Sequence, residues 1–117
     1  MRQFRRSTRL GEQILRDIST LLETELSENL SAMVTFTNVR LTNDLREATV
    51  YYSVLGQEHD RREADRYLQQ QAGKIRGAIG RNLRVRHIPE LRFKFDPSVE
   101  EGLRIERLLN EINNDTR

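Results

Sequence analysis

The segment Ala72–Asp96, AGKIRGAIGRNLRVRHIPELRFKFD, decides how the chain is read. Ile75, Ile79 and Leu83 recur every four positions, which predicts a helix from about Lys74 to Leu83. Pro89 stops helical continuation and pushes Ile88 into extended geometry. Leu91, Phe93 and Phe95 then alternate with Arg92 and Lys94, a strand with one apolar and one basic face. Between Lys74 and Lys94 stand seven basic residues, Lys74, Arg76, Arg81, Arg84, Arg86, Arg92 and Lys94, against Glu90 alone. Gly73, Gly77 and Gly80 are threaded among them. Glycine lets a foreign backbone come close and arginine grips phosphate at short range, so a polyanionic partner is the first implication.

Working outward, the spacing of Leu10, Ile14, Ile18, Leu21, Leu22 and Leu26 predicts an amphipathic helix from about Thr8 to Glu28. Met33–Leu41 reads as a strand whose alternation slips, with a bulge expected near Thr37 or Asn38. Asn43-Asp44 marks a turn, and Glu47–Leu55 is a second strand, antiparallel to the first. Asp60 is the expected cap of a helix through Ala64, Tyr67 and Leu68, which meets a kink or break at Gly73. Asp96-Pro97 opens a last helix, about 97–113, built on Ile105, Leu108, Leu109 and Ile112, with Gly102 as a weak point. The predicted order is α-β-β-α-kink-α-β plus a C-terminal helix. It is an α+β fold in which the last strand completes a three-stranded sheet with helices on one face.

The 117 residues make one domain, 1–117, whose net charge of +2 conceals segregation. Residues 1–9 hold four arginines and no acid, an expected basic arm over about 1–7. Residues 10–73 hold six basic and eleven acidic residues, and residues 95–117 three and six. Two basic blocks separated by acidic ones imply a cationic patch on a domain that is otherwise near neutral or acidic. No cysteine is present, so no disulfide or thiolate site can form, and no apolar run approaches the ~20 residues of a membrane span. A soluble cytoplasmic protein follows as the expectation.

On the predicted Lys74–Leu83 helix, Gly73, Gly77, Gly80 and Arg84 share one side, opposite Ile75 and Ile79. Lys74, Arg76 and Arg81 edge this bare strip, an arrangement suited to a sugar–phosphate chain. Tight packing of another helix is the structural alternative. The candidate RNA contacts are therefore Gly73, Lys74, Arg76, Gly77, Gly80, Arg81, Arg84, Arg86, Arg92 and Lys94, joined by Arg5, Arg6 and Arg9 of the arm. Stacking candidates are few: Tyr51, Tyr52 and Tyr67. No catalytic constellation emerges. Gly73-Lys74 lacks the Ser/Thr of a P-loop, having Ile75 there, and Leu68 stands where the earlier glycine belongs. His59 and His87 are far apart, so no metal or other cofactor is expected. Asp44 and Glu47 could form an acid/base pair, though a turn aspartate more often bonds its own backbone.

The order of elements is that of a type II KH domain, an RNA-binding fold. The chain further resembles the bacterial ribosome-binding factor A family over about Arg5 to Ile112. The residues that carry this are Arg9-Leu10; Val39 through Asp44-Leu45; Ala48-Thr49-Val50-Tyr51; Gly73-Lys74-Ile75-Arg76; Leu83-Arg84-Val85-Arg86; Pro89-Glu90-Leu91-Arg92-Phe93; and Asp96. In that family an Ala-x-Gly kink replaces the KH loop, and the matching positions are Gln71-Ala72-Gly73, with glutamine at the first. The resemblance implies an assembly factor and not an enzyme. It implies binding to the immature small ribosomal subunit and its rRNA, help in late rRNA maturation, most needed in the cold, and a monomer when free, with no small-molecule substrate. A protein-interaction adaptor, or a KH module not dedicated to the ribosome, is the competing expectation.

Overall fold

The computed structural model describes residues 2–115. Helix α1, Arg2–Thr24, leads through a short 3-10 turn, Leu26–Asn29, into strands β1, Met33–Leu41, and β2, Glu47–Leu55. Helix α2, Glu58–Gly80, crosses over to strand β3, Glu90–Phe95, and helix α3, Ser98–Asp115, follows. The sheet order is β1-β2-β3, with β1 antiparallel and β3 parallel to β2. A parallel pair requires a crossover, and α2 supplies it.

The core lies between one sheet face and helices α1 and α2. Ile14, Ile18 and Leu22 of α1 and Ala64, Leu68, Ile75 and Ile79 of α2 meet Val34, Phe36, Val39, Val50, Tyr52, Leu91 and Phe93. Phe36 and Phe93 rings lie 6.0 Å apart from the two outer strands. Tyr52 is 1% exposed, and its hydroxyl donates to Asp65 Oδ1 on α2 at 2.6 Å. Burial, then that bond, pushes the Tyr52 phenol well above its usual range. Gly11 is buried because α1 runs against β1 there: an added Cβ would meet the Val39 carbonyl oxygen at 2.9 Å.

Several sequence expectations change. The arm is helical from Arg2, because nothing in its Arg- and Gln-rich sequence stops a helix before Thr8. Met1 and residues 116–117 lie outside the described residues. Gly73 does not divide α2, which runs uninterrupted past Gln71-Ala72-Gly73. The apolar stripe Ala64, Leu68, Ala72, Ile75, Ile79 keeps helical spacing across the glycine, and core packing outweighs a propensity cost of about 1 kcal/mol. The helix ends at Gly80, three residues before the expected Leu83. Asp60 is not the cap. Gln57 is, and Asp60 completes a capping box by accepting from Gln57 N at 2.9 Å. Helix α3 continues through Gly102, but Ile105, Leu108, Leu109 and Ile112 are 51–59% exposed and stand outside the core. Among the described residues no helix is long and apolar enough to cross a membrane.

The β1 bulge falls at Thr37, where pairing shifts between Phe36 and Asn38. Asp96 secures it: Thr37 Oγ1 donates to Asp96 Oδ2 at 2.7 Å, and Asp96 Oδ1 accepts Ser98 N at 2.9 Å, opening α3. Asp96 N in turn donates to Tyr52 O at 2.7 Å. Bonds from Ser98, then from Thr37, hold the Asp96 carboxyl below the usual aspartate range. A depressed folded-state value means stability present above the unfolded value near 3.8 and lost as pH falls through the folded one. Urea melts of Asp96→Asn should therefore show a constant deficit from the wild type between neutral pH and pH ~5 that narrows in more acidic buffer.

Arg76 acts as a clip. Its Nε donates to Ile88 O at 3.2 Å and Pro89 O at 3.1 Å, and Nη2 donates to Ile88 O as well, tying the loop before β3 onto α2. Arg76→Ala should cost about 1–2 kcal/mol in chemical denaturation, the range of charge-assisted bonds discounted for exposure, while Arg81→Ala should cost under about 0.5 kcal/mol. Gly77→Ala should raise stability by up to about 1 kcal/mol in the same assay, because its Cβ would face open space.

Candidate nucleic-acid interface

The two basic blocks, far apart in sequence, meet in the structure. α1 delivers Arg6 and Arg9 from its first turns, and the loop after α2 delivers Arg84 and Arg86. The hairpin tip between β1 and β2 lies between them. A groove of about 440 Å³ is lined by Arg6, Arg9, Leu10, Gln13, Leu45, Asn82, Leu83, Arg84 and Val85. A smaller hollow of about 210 Å³ shares Arg6, Leu10, Leu45, Arg84 and Val85 with it and adds Asp44, Arg86 and His87. The floor is thus apolar and the rim cationic. Arg6, Arg9, Arg84 and Arg86 are exposed, and none of them forms a salt bridge among the described residues. Unpaired, exposed guanidinium groups around a hollow are available to phosphate.

Leu45 is what closes this floor. It holds φ +62°, the only positive φ among described non-glycine residues, and is half-buried. A leucine in that region costs on the order of 1 kcal/mol, offset here by its packing in the groove. The turn that presents it is tied by Asp44, whose Oδ1 accepts Thr42 Oγ1 at 2.6 Å and Arg46 N at 3.1 Å. The Thr42 bond, then the Arg46 N–H, holds the Asp44 carboxyl below its ordinary value. Asp44 therefore serves its turn, and no bond links it to Glu47, which pairs with Arg92 instead. A larger groove, about 530 Å³, runs between α1 and the β1 edge, but no cation of either basic block lines it. Charge, not volume, distinguishes the cationic groove.

The remaining predicted residues separate. Gly73, Lys74 and Gly77 are exposed along α2 and Arg81 just past its end, and added Cβ atoms at Gly73 and Gly77 would touch nothing within 4 Å. Gly80 differs: it is half-buried, and a Cβ there would overlap Ile88 Cδ1, so this glycine serves packing. Arg76 is occupied by the Ile88 and Pro89 carbonyls. Arg92 and Lys94 point from β3 to the sheet face away from the helices, and Arg92 Nη2 meets Glu47 Oε1 at 3.0 Å. Arg5 is exposed on α1. Of the tyrosines, Tyr52 is buried, the Tyr67 hydroxyl accepts Asn29 Nδ2 at 3.2 Å, and Tyr51 lies partly open on the outer sheet face. Sequence reasoning passes over Leu45 and the apolar floor. A leucine directly after a turn signal is the available clue.

Comparison with known proteins agrees with this architecture. The family described as ribosome-binding factor A matches residues 6–109. Ribosome-binding factor A of Caldanaerobacter subterraneus subsp. tengcongensis is 40% identical over 109 residues, covering 92% of this chain and 89% of its own. The crystal structure of ribosome-binding factor A from Thermus thermophilus superposes with a TM-score of 0.66 at 25% identity, covering 76% of this chain and 93% of that one. A homology model of the Thermus thermophilus protein, fitted into the cryo-EM map of a 30S complex, shares the fold with a TM-score of 0.64 at 24% identity, covering 78% and 96%. With a sheet, a crossover helix and a match spanning nearly its whole length in common with them, this chain belongs to the ribosome-binding factor A family.

Proposed function

We propose that the chain is a ribosome-binding factor that docks on the immature small ribosomal subunit, with its cationic groove seated on rRNA phosphates. The observation that carries this reading is the convergence of Arg6 and Arg9 with Arg84 and Arg86 around Leu45. Family membership supports the ribosomal partner, as does the relative fitted into a 30S complex. Phosphate contacts position a protein on RNA without reading sequence. The exposed strip of Gly73, Lys74, Gly77 and Arg81 extends the interface, since bare helix backbone permits close approach. Arg5 adds a further cation on α1. Arg76 contributes indirectly by holding the loop that bears Arg84 and Arg86.

The chemistry is binding, not bond-making. A module that fits one rRNA conformer shifts the population toward it, and leaves when maturation alters the surface. On this reading the protein acts in the cytoplasm as a monomer, assists late small-subunit rRNA maturation, and is most needed in the cold, where misfolded RNA escapes slowly. A protein-adaptor role is the second reading. It rests on the exposed α3 stripe, Ile105, Leu108, Leu109 and Ile112.

Cosedimentation with purified small subunits separates the two. Arg6→Glu with Arg84→Glu should lower affinity at least ten-fold with little change in the thermal melt. It should also flatten the dependence of log K on log salt by roughly 0.7–0.9 for each phosphate no longer engaged. Replacing Leu108 and Ile112 by serine should leave subunit binding intact. Wild-type affinity that stays constant between low and high salt would rule out the groove as a phosphate site.

A further inference from the structure

The sheet face turned away from the helices carries a second arrangement that the groove does not use. The Thr37 bulge creates it. Before the bulge the odd-numbered residues Met33 and Thr35 face outward. After it Val39 is buried and the even-numbered Asn38 and Arg40 face outward. Without the extra residue Arg40 would point into the core, so the bulge re-aims it. Strand register then sets two rows across the sheet: Asn38, Tyr51 and Lys94, and beside it Arg40, Thr49 and Arg92. Tyr51 sits on the central strand with a cation-bearing strand on either side. Among the described residues its hydroxyl has no hydrogen-bond partner, and Arg40 and Lys94 form no salt bridge. A tyrosine placed for its hydroxyl would have a partner, and one placed for burial would face the helices as Tyr52 does.

We propose that this face is a second RNA-binding surface, where Tyr51 stacks an unpaired base and Lys94 and Arg40 hold the flanking phosphates. It deepens the ribosomal reading and rests on it: the groove grips backbone, while the sheet selects a segment that is single-stranded. Base stacking on an aromatic ring is tolerant of sequence but requires an unstacked base, so a duplex is excluded. An immature subunit, with rRNA segments not yet paired, offers such a base. A mature one withdraws it.

The chain has no tryptophan, so Tyr51→Trp places a sole indole at the centre of the face. Full-length protein is titrated with an unpaired RNA oligonucleotide of about ten nucleotides, within the known range of single-strand sites, and with a blunt RNA duplex of equal phosphate count. Emission from that indole should be quenched by the unpaired RNA and unaffected by the duplex, which binds through the groove. Tyr51→Phe should bind the oligonucleotide like the wild type. Tyr51→Leu should lose roughly ten-fold or more for the oligonucleotide while keeping its duplex affinity. Should the leucine variant unfold, the indole emission alone decides. Unchanged emission with the oligonucleotide bound, or wild-type affinity in a folded Tyr51→Leu, overturns the sheet surface and leaves the groove standing. Failure of the wild type to bind either RNA or the small subunit overturns both.

Discussion

The bonds from the Arg76 guanidinium to the carbonyl oxygens of Ile88 and Pro89 hold together two things the rest of the molecule needs. One is the path of the chain into β3. Buried Pro89 cannot donate a backbone hydrogen bond, so the residues before the strand have few ways to be anchored. Clipped to α2, they bring Glu90 N within 2.8 Å of Arg46 O, where pairing of β3 with β2 begins. The other is the loop that presents Arg84 and Arg86. Ile88 packs against Gly80 at the end of α2, so the loop is pinned by an apolar contact and a charged one. A cation spent inside the fold thereby sets the position of cations outside it.

This is also where the sequence is least legible. Arg76 sits among seven basic residues, and nothing in composition or spacing separates the one that faces a carbonyl from those that face water. Periodicity finds the helices, because their apolar stripes are written at intervals of three and four. It finds the bulge near Thr37, because an extra residue in a strand inverts the alternation. It misplaces helix ends, since Arg2–Thr8 carries no breaker and Gly73 is one that packing overrides. Ile105, Leu108, Leu109 and Ile112 show the converse limit. Their spacing describes an amphipathic helix correctly, but whether the stripe is covered depends on where α3 is aimed, which periodicity does not record.

Grouped by sequence, the basic residues form two blocks; grouped by structure, they fall on three surfaces. Arg6, Arg9, Arg84 and Arg86 rim the groove. Lys74 and Arg81 edge the open backbone of α2. Arg92 and Lys94, joined by Arg40 from a region the sequence counts as acidic, lie behind the sheet. Four aspartates meanwhile serve local bonds: Asp44 in its turn, Asp60 in its capping box, Asp65 on Tyr52, and Asp96 at the bulge.

Asp96 ties these surfaces into one object. One carboxylate oxygen holds the bulged Thr37 and the other the first turn of α3, while its backbone N–H continues the β3 pairing onto Tyr52. Thr37 in turn decides that Arg40 and Asn38 stand beside Tyr51 and not beneath it. The character of the outer face therefore depends on a bond at its far end. Substitutions that leave every outward side chain intact can still dismantle such a face, because in a strand of period two a single residue of slip exchanges core and surface.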